Sequence, residues 1–144
     1  MFRELAGEFP DLKLHEPAAL SALTAIETGL GTRLPPDLRA LLLETNGISG
    51  DFGDGVVWSA EQILESNRTF RTYPDFSDLY MPFDPLLFFG DNGGGDQFAF
   101  IRTPERDEDV FVWDHETDSR LWAANSLHDY VHRALDGSDG DWWR

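Results

Sequence analysis

Residues 85–101 read Pro-Leu-Leu-Phe-Phe-Gly-Asp-Asn-Gly-Gly-Gly-Asp-Gln-Phe-Ala-Phe-Ile. Two apolar, aromatic-rich runs flank a segment built only of Gly, Asp and Asn. Strand formers on both sides of a glycine-rich break predict a β-hairpin whose turn lies within residues 91–96. Gly93, Gly94 and Gly95 permit the positive φ angles such a tip needs, and they let another chain approach the backbone. A sheet is thereby placed at the middle of the chain. Asp91 and Asp96 are left at the turn, where they are expected to face water or a partner.

Working outward towards the C-terminus, residues 102–109 form a charged turn and Val110-Phe111-Val112-Trp113 reads as the next strand. Residues 115–119 turn again, and 120–124 supply a last strand. Short connections between successive strands make an antiparallel meander of about four strands. Residues 127–135 close the chain as a helix, with Asn125 or Ser126 as N-cap. Leu127, Tyr130, Val131, Ala134 and Leu135 share one stripe, which is expected to cover the sheet. Residues 136–144 are a Gly/Asp-rich acidic tail with Trp142 and Trp143.

Towards the N-terminus, residues 2–9 read as a short helix ended by Pro10. Pro17 opens a helix that carries Leu20, Leu23, Ile26 and Leu30, closed by Gly29 and Gly31. Leu34-Pro-Pro-Asp opens another, with Leu38, Leu41 and Leu42 as its inner stripe and Asn46-Gly47 as its stop. A Gly/Asp loop over 47–55 precedes the short strand Val56-Val57-Trp58. Ser59 then begins a helix, with Gln62 in capping-box register and Ile63 and Leu64 as apolar anchors. Residues 67–84 show no clean period. Their aromatics, Phe70, Tyr73, Phe76, Tyr80 and Phe83, alternate with Asp75, Asp78, Pro74 and Pro82. The plainer reading tucks these rings against the core edge; the functional reading makes them a binding surface, where aromatics are enriched.

The fold class expected from this order is α+β in a single domain over residues 1–144, since a chain of 144 residues can bury a full core without staples. The absence of cysteine removes disulfides and thiolate metal sites, and it fits a reducing compartment. No basic start followed by an apolar run marks a signal peptide, and no apolar stretch approaches bilayer length. A cytoplasmic, monomeric protein is expected. Acidic residues number 27 against 11 basic ones, a net charge of −16. Such a surface repels phosphate, which disfavours nucleic acid and anionic membranes. It favours a cationic protein, whose encounter it steers towards ~10⁸–10⁹ M⁻¹s⁻¹ at low salt.

Catalytic and metal signatures are weak. His128 and His132 stand at the i, i+4 spacing of a zinc-protease helix, but Asp129 replaces its glutamate and no His or Glu follows to complete a ligand set. Asp114-His115-Glu116 offers adjacent ligands that diverge along an extended chain, so a strand-ending turn is expected instead. The Gly93–Gly95 run lacks the Lys-Ser/Thr pair and the helix of a phosphate loop, and it lacks the alternating oxygens of a calcium loop. No Gly-x-Ser-x-Gly elbow occurs. No catalytic residue, metal ligand or cofactor is assigned.

Leu34-Pro-Pro-Asp-Leu-Arg-Ala-Leu-Leu-Leu-Glu-Thr-Asn-Gly47 resembles the second-helix signature of the SUKH superfamily, a helix that starts at Leu-Pro and stops at Asn-Gly. Phe88-Phe89-Gly90, the Gly-Gly-Asp96 turn and Phe98-Ala-Phe100 resemble its central hairpin, and Val-Phe-Val-Trp-Asp-His-Glu116 its next strand and turn. The likeness spans residues 17–135. It implies helices around an antiparallel sheet, with Gly94, Gly95 and Trp113 in structural roles. It also implies a non-enzymatic module that binds protein, in bacteria mostly an immunity protein against a toxin that is often a nuclease. On that reading Asp51, Asp54, Asp75, Asp78, Asp91 and Asp96 would meet a toxin's Lys and Arg, and Tyr73, Phe76 and Tyr80 would anchor. The alternatives are a regulator or scaffold for an endogenous partner, as in the fungal cell-wall-assembly relatives, and a metal-dependent hydrolase using His128 and His132.

Overall fold

The computed structural model describes residues 13–49, 55–73, 83, 85–93, 95–102 and 107–136. The helix expected over 2–9, the tail beyond 136, and Asp51, Asp54, Asp75, Phe76, Asp78, Tyr80 and Gly94 lie outside the described residues.

The elements run β1 (Lys13–Leu14), α1 (Leu20–Leu30), α2 (Pro36–Glu44), β2 (Ile48–Ser49), β3 (Gly55–Val57), α3 (Ala60–Thr72), β4 (Leu86–Asp91), β5 (Gln97–Ile101), β6 (Val110–Asp114), β7 (Ser119–Ala124) and α4 (Leu127–Asp136). β1, β2 and β3 make a small antiparallel sheet, and β4 to β7 make the expected meander in sequence order. The fold class is α+β. No helix among the described residues is long and apolar enough to cross a membrane.

The local signals act as their chemistry requires. Gly31 ends α1 in the left-handed region at φ 66° and donates its N–H to Glu27 O. Pro35 and Pro36 start α2, whose Leu38, Leu41 and Leu42 are buried. Ser59 caps α3 by accepting from Gln62 N at 3.2 Å, and Ser126 caps α4 by accepting from Asp129 N at 3.0 Å.

α3 runs further than its apolar pattern suggests. It carries on to Thr72, so residues 67–72 are helical rather than irregular. The inward position after Ile63 holds a polar residue, Asn67, which interrupts the apolar period although it is almost fully buried. Asn67 Nδ2 donates to Ile63 O at 2.7 Å and Phe88 O at 2.8 Å, while its Oδ1 accepts from Phe88 N at 2.8 Å. The side chain pairs with β4 as a neighbouring strand would.

The rest of the β4 edge is covered in kind. The β4–β5 register shifts between Phe88 and Gly90, which leaves Phe89 outside the ladder. Its carbonyl accepts from Trp58 N at 2.7 Å, and Arg71 Nη2 donates to Leu86 O at 2.9 Å. At Gly90 a Cβ would overlap the Val56 carbonyl, so the small sheet meets β4 only because that side chain is missing.

Aromatic clusters fill both faces of the meander. On one, Tyr130 of α4 meets Phe89 and Phe98 at centroid distances of 5.0 and 4.8 Å, and its hydroxyl donates to Val56 O at 2.6 Å. The α4 stripe therefore covers the sheet as expected. On the other, Phe70 packs on Phe88 at 4.9 Å and Phe83 on Trp113 at 5.1 Å. Trp113 is a core residue.

Candidate protein-binding groove

An open groove of about 1050 Å³ lies where the small sheet, the start of α3 and the hairpin turn converge. Its walls come from His15 and Glu16 after β1, Asn46 after α2, Trp58 and Gln62 around the start of α3, and Asp91 at the end of β4.

The Asn-Gly stop of α2 builds one wall. Gly47 turns at φ 103° with Val57 O only 2.8 Å from where a Cβ would stand, so the chain crosses β3 closely. Asn46 Oδ1 accepts from Ala60 N at 2.8 Å, adding a second cap to α3, and its Nδ2 donates to Glu61 Oε2 at 3.0 Å. The buried Thr45 hydroxyl accepts from His15 N at 2.7 Å and donates to Gly47 O at 2.8 Å. His15 is thereby positioned, with its Nε2 at 3.1 Å from Ser49 Oγ. Opposite, Trp58 Nε1 donates to Asp91 Oδ2 at 2.6 Å and Gly93 N donates to Asp91 Oδ1 at 2.7 Å. These bonds fix the carboxylate in the wall, half-buried.

The lining carries Glu16 and Asp91 and no Lys or Arg among the described residues. A smaller recess of about 390 Å³ continues from Gln62 along α3 to Glu65 and Phe70. Most of the described arginines lie elsewhere and pair with acids or backbone carbonyls, Arg102 buried, Arg120 largely so, and Arg33, Arg39 and Arg133 at the surface. Arg33 and Arg102 meet Asp107 at 3.4 and 3.2 Å, Arg39 meets Glu27 at 3.8 Å, and Arg120 meets Asp118 at 3.3 Å. Arg133 pairs with Asp129 at 3.0 Å, and Arg71 donates to Leu30 O and Leu86 O. Each of these ion pairs sets one positive charge against an acid, and the acids in excess, net −16 over the chain, are left without a basic counterpart.

Of the expected binding residues that are described, the groove gathers Asp91 alone, with Gly93 of the expected turn beside it. Tyr73 is half-exposed just beyond the far end of α3, about 20 Å along the helix axis at 1.5 Å per residue. Asp96 needs a correction: it does not face water or a partner. It is 2% exposed, and its Oδ1 lies 2.7 Å from His115 Nδ1 and accepts from His115 N at 3.3 Å. Gly95, at φ 108°, leaves room for that imidazole, because a Cβ there would stand 2.8 Å from His115 Cε1. Asp114 and His115 also converge, against the expectation for neighbours in sequence. The turn after β6 brings them and Asp96 to within 4.8 Å of one another, while Glu116 stays outside the group. His128 and His132 are exposed on α4.

His15, Glu16 and Glu61 escaped the sequence reading, and Asn46 and Gln62 were read as a helix stop and a capping residue and not as part of a groove. Asn46 left a signal, since an asparagine that stops one helix can also cap the next.

No curated protein matches the chain. The sequence model of the SMI1 / KNR4 family (SUKH-1) matches residues 17–133, from the start of the first helix region into the last helix. A match over most of the chain, together with the α+β fold built on the Leu-Pro to Asn-Gly helix and the central hairpin, places this protein in the SMI1 / KNR4 family (SUKH-1).

Proposed function

We propose that this chain is a non-enzymatic immunity protein that neutralises a basic toxin by occluding its substrate-binding surface. Family membership supports the protein-binding half of the reading. The observation that carries the toxin half is the acid excess: a net charge of −16 and a groove lined by Glu16 and Asp91 with no Lys or Arg among the described residues. A nuclease must present Lys and Arg to phosphate. An acidic protein seated on those groups removes the charge that holds the substrate, and it needs no chemistry of its own.

The loops whose acids were singled out border the groove in sequence: Asp51 and Asp54 precede β3, and Asp91 ends β4. Asp75, Phe76, Asp78 and Tyr80, which follow Tyr73, extend the proposed contact. The protein acts in the cytoplasm of the cell that makes the toxin, as a monomer, without cofactor or metal.

Affinity capture from the native cell tests this directly. The expected catch is a basic protein encoded beside this gene whose activity the purified chain abolishes at one-to-one ratio. Capture of an acidic or neutral housekeeping protein instead would move the protein to the regulator or scaffold class.

A further inference from the structure

We infer that β7 is a second docking edge, which takes an extended, lysine- or arginine-bearing segment of a partner protein as an added antiparallel or parallel strand. The inference deepens the reading of the chain as a protein-binding module and relies on it for the class of partner. The surface itself is argued from the sheet.

The two edges of the meander are treated differently. β4 is sealed by Asn67, Trp58 and Arg71, which bond Phe88 N, Phe88 O, Phe89 O and Leu86 O. Among the described residues β7 pairs with β6 alone. Natural edges are commonly blunted by charge, above all lysine. β7 instead exposes Leu121 (53%) and Trp122 (51%), which point to opposite faces of the sheet. Its one cation, Arg120, is drawn away over the Phe83 ring at 5.0 Å and onto Asp118. An incoming strand would therefore find apolar side chains to pack on from both faces, which is the pattern of strand addition.

Acids stand at both ends of this edge. Glu116 precedes β7, with Asp118 beside it taken by Arg120, and Asp109 receives the Trp122 indole N–H at 3.3 Å beside the other end, with Glu108 next to it. A second copy of this chain would set those acids against each other, since antiparallel self-pairing brings the start of one β7 to the end of the other. Two chains of −16 also repel as wholes. A cationic segment from a different protein suits the same edge.

The test titrates the ¹⁵N-labelled full chain with a peptide of alternating lysine and valine, and with its glycine-for-valine counterpart of equal charge. Shift changes and slowed amide exchange are expected along Ser119–Ala124 with the first peptide. Binding weaker by about tenfold or more is expected for the second, and for the Leu121→Lys and Trp122→Lys variants. Both side chains are half-exposed, and far-UV circular dichroism verifies that the variants stay folded. Ala40→Lys, an equal charge change at an exposed position of α2, should leave this binding unchanged. Perturbation centred elsewhere, or equal binding of the two peptides, overturns the inference. A concentration-dependent dimer that Leu121→Lys dissolves also overturns it, because the edge then belongs to a second copy. A native partner whose capture survives both substitutions removes the edge while leaving the module reading intact.

Discussion

Replacing Asn67 by alanine is expected to weaken the protein far more than the loss of one amide would suggest. Asn67 joins α3, which forms one groove wall, to β4, which carries Asp91. It is 1% exposed, so no bulk water reaches the gap that alanine would leave. Phe88 N and Phe88 O would both lose a partner in a buried site. Each orphaned group costs about 1–3 kcal/mol. Ile63 O loses only a supplementary donor, since its helical bond remains. The expected loss is about 3–4 kcal/mol, a large share of the ~5–15 kcal/mol that holds a domain of this kind together. Urea unfolding followed by tryptophan fluorescence measures it. With an m-value of about 2 kcal/mol/M, the midpoint should fall by roughly 1.5–2 M at unchanged slope. Asn67→Leu separates hydrogen bonding from volume, because it refills the space without restoring the bonds. The reasoning fails if leucine recovers the native midpoint, or if alanine costs under about 1 kcal/mol.

Gly95→Ala and Gly31→Ala both place a side chain at positive φ, which costs about 1–2 kcal/mol each. Only Gly95 also meets a neighbour, the His115 ring, so its melting temperature should drop further than that of Gly31→Ala, whose Cβ enters open space. Tyr130→Phe keeps both ring contacts and removes only the donation to Val56 O. A loss of about 1–2 kcal/mol by calorimetry is expected, and no loss would mean that the hydroxyl does not tie α4 to β3. Asn46→Ala uncaps Ala60 N and should cost about 1 kcal/mol, with faster hydrogen exchange confined to the first turn of α3.

The parts of the fold that could be read in advance are those punctuated by backbone chemistry. Pro35-Pro36, Gly31, Asn46-Gly47 and the Gly93–Gly95 turn each restrict or free φ locally, so they mark element ends without knowledge of what packs where. What stayed hidden depends on partners distant in sequence. Asn67 breaks the apolar period of α3 because its contacts lie on β4, and no periodicity rule anticipates a buried amide standing in for a strand. Asp96 reads as a turn carboxylate until His115, on the turn after β6, folds over Gly95 to cover it. Asp114 joins that pair through the curvature of the turn. Leu121 and Trp122 look like strand interior in sequence; their exposure follows from β7 having no outer neighbour among the described residues. The groove was half legible. Asp91 came from the hairpin, whereas Glu16 and Gln62 sit on elements whose convergence only the packing of β3 against β4 creates.

An acidic surface meeting a cationic polypeptide makes association electrostatic, and the association rate with the captured native partner, followed against ionic strength, measures that most directly. For the native chain the rate constant should fall at least about tenfold between 50 mM and 500 mM salt, and Glu16→Lys combined with Glu61→Lys should slow association and flatten the dependence. A rate constant indifferent to both salt and charge reversal would contradict it.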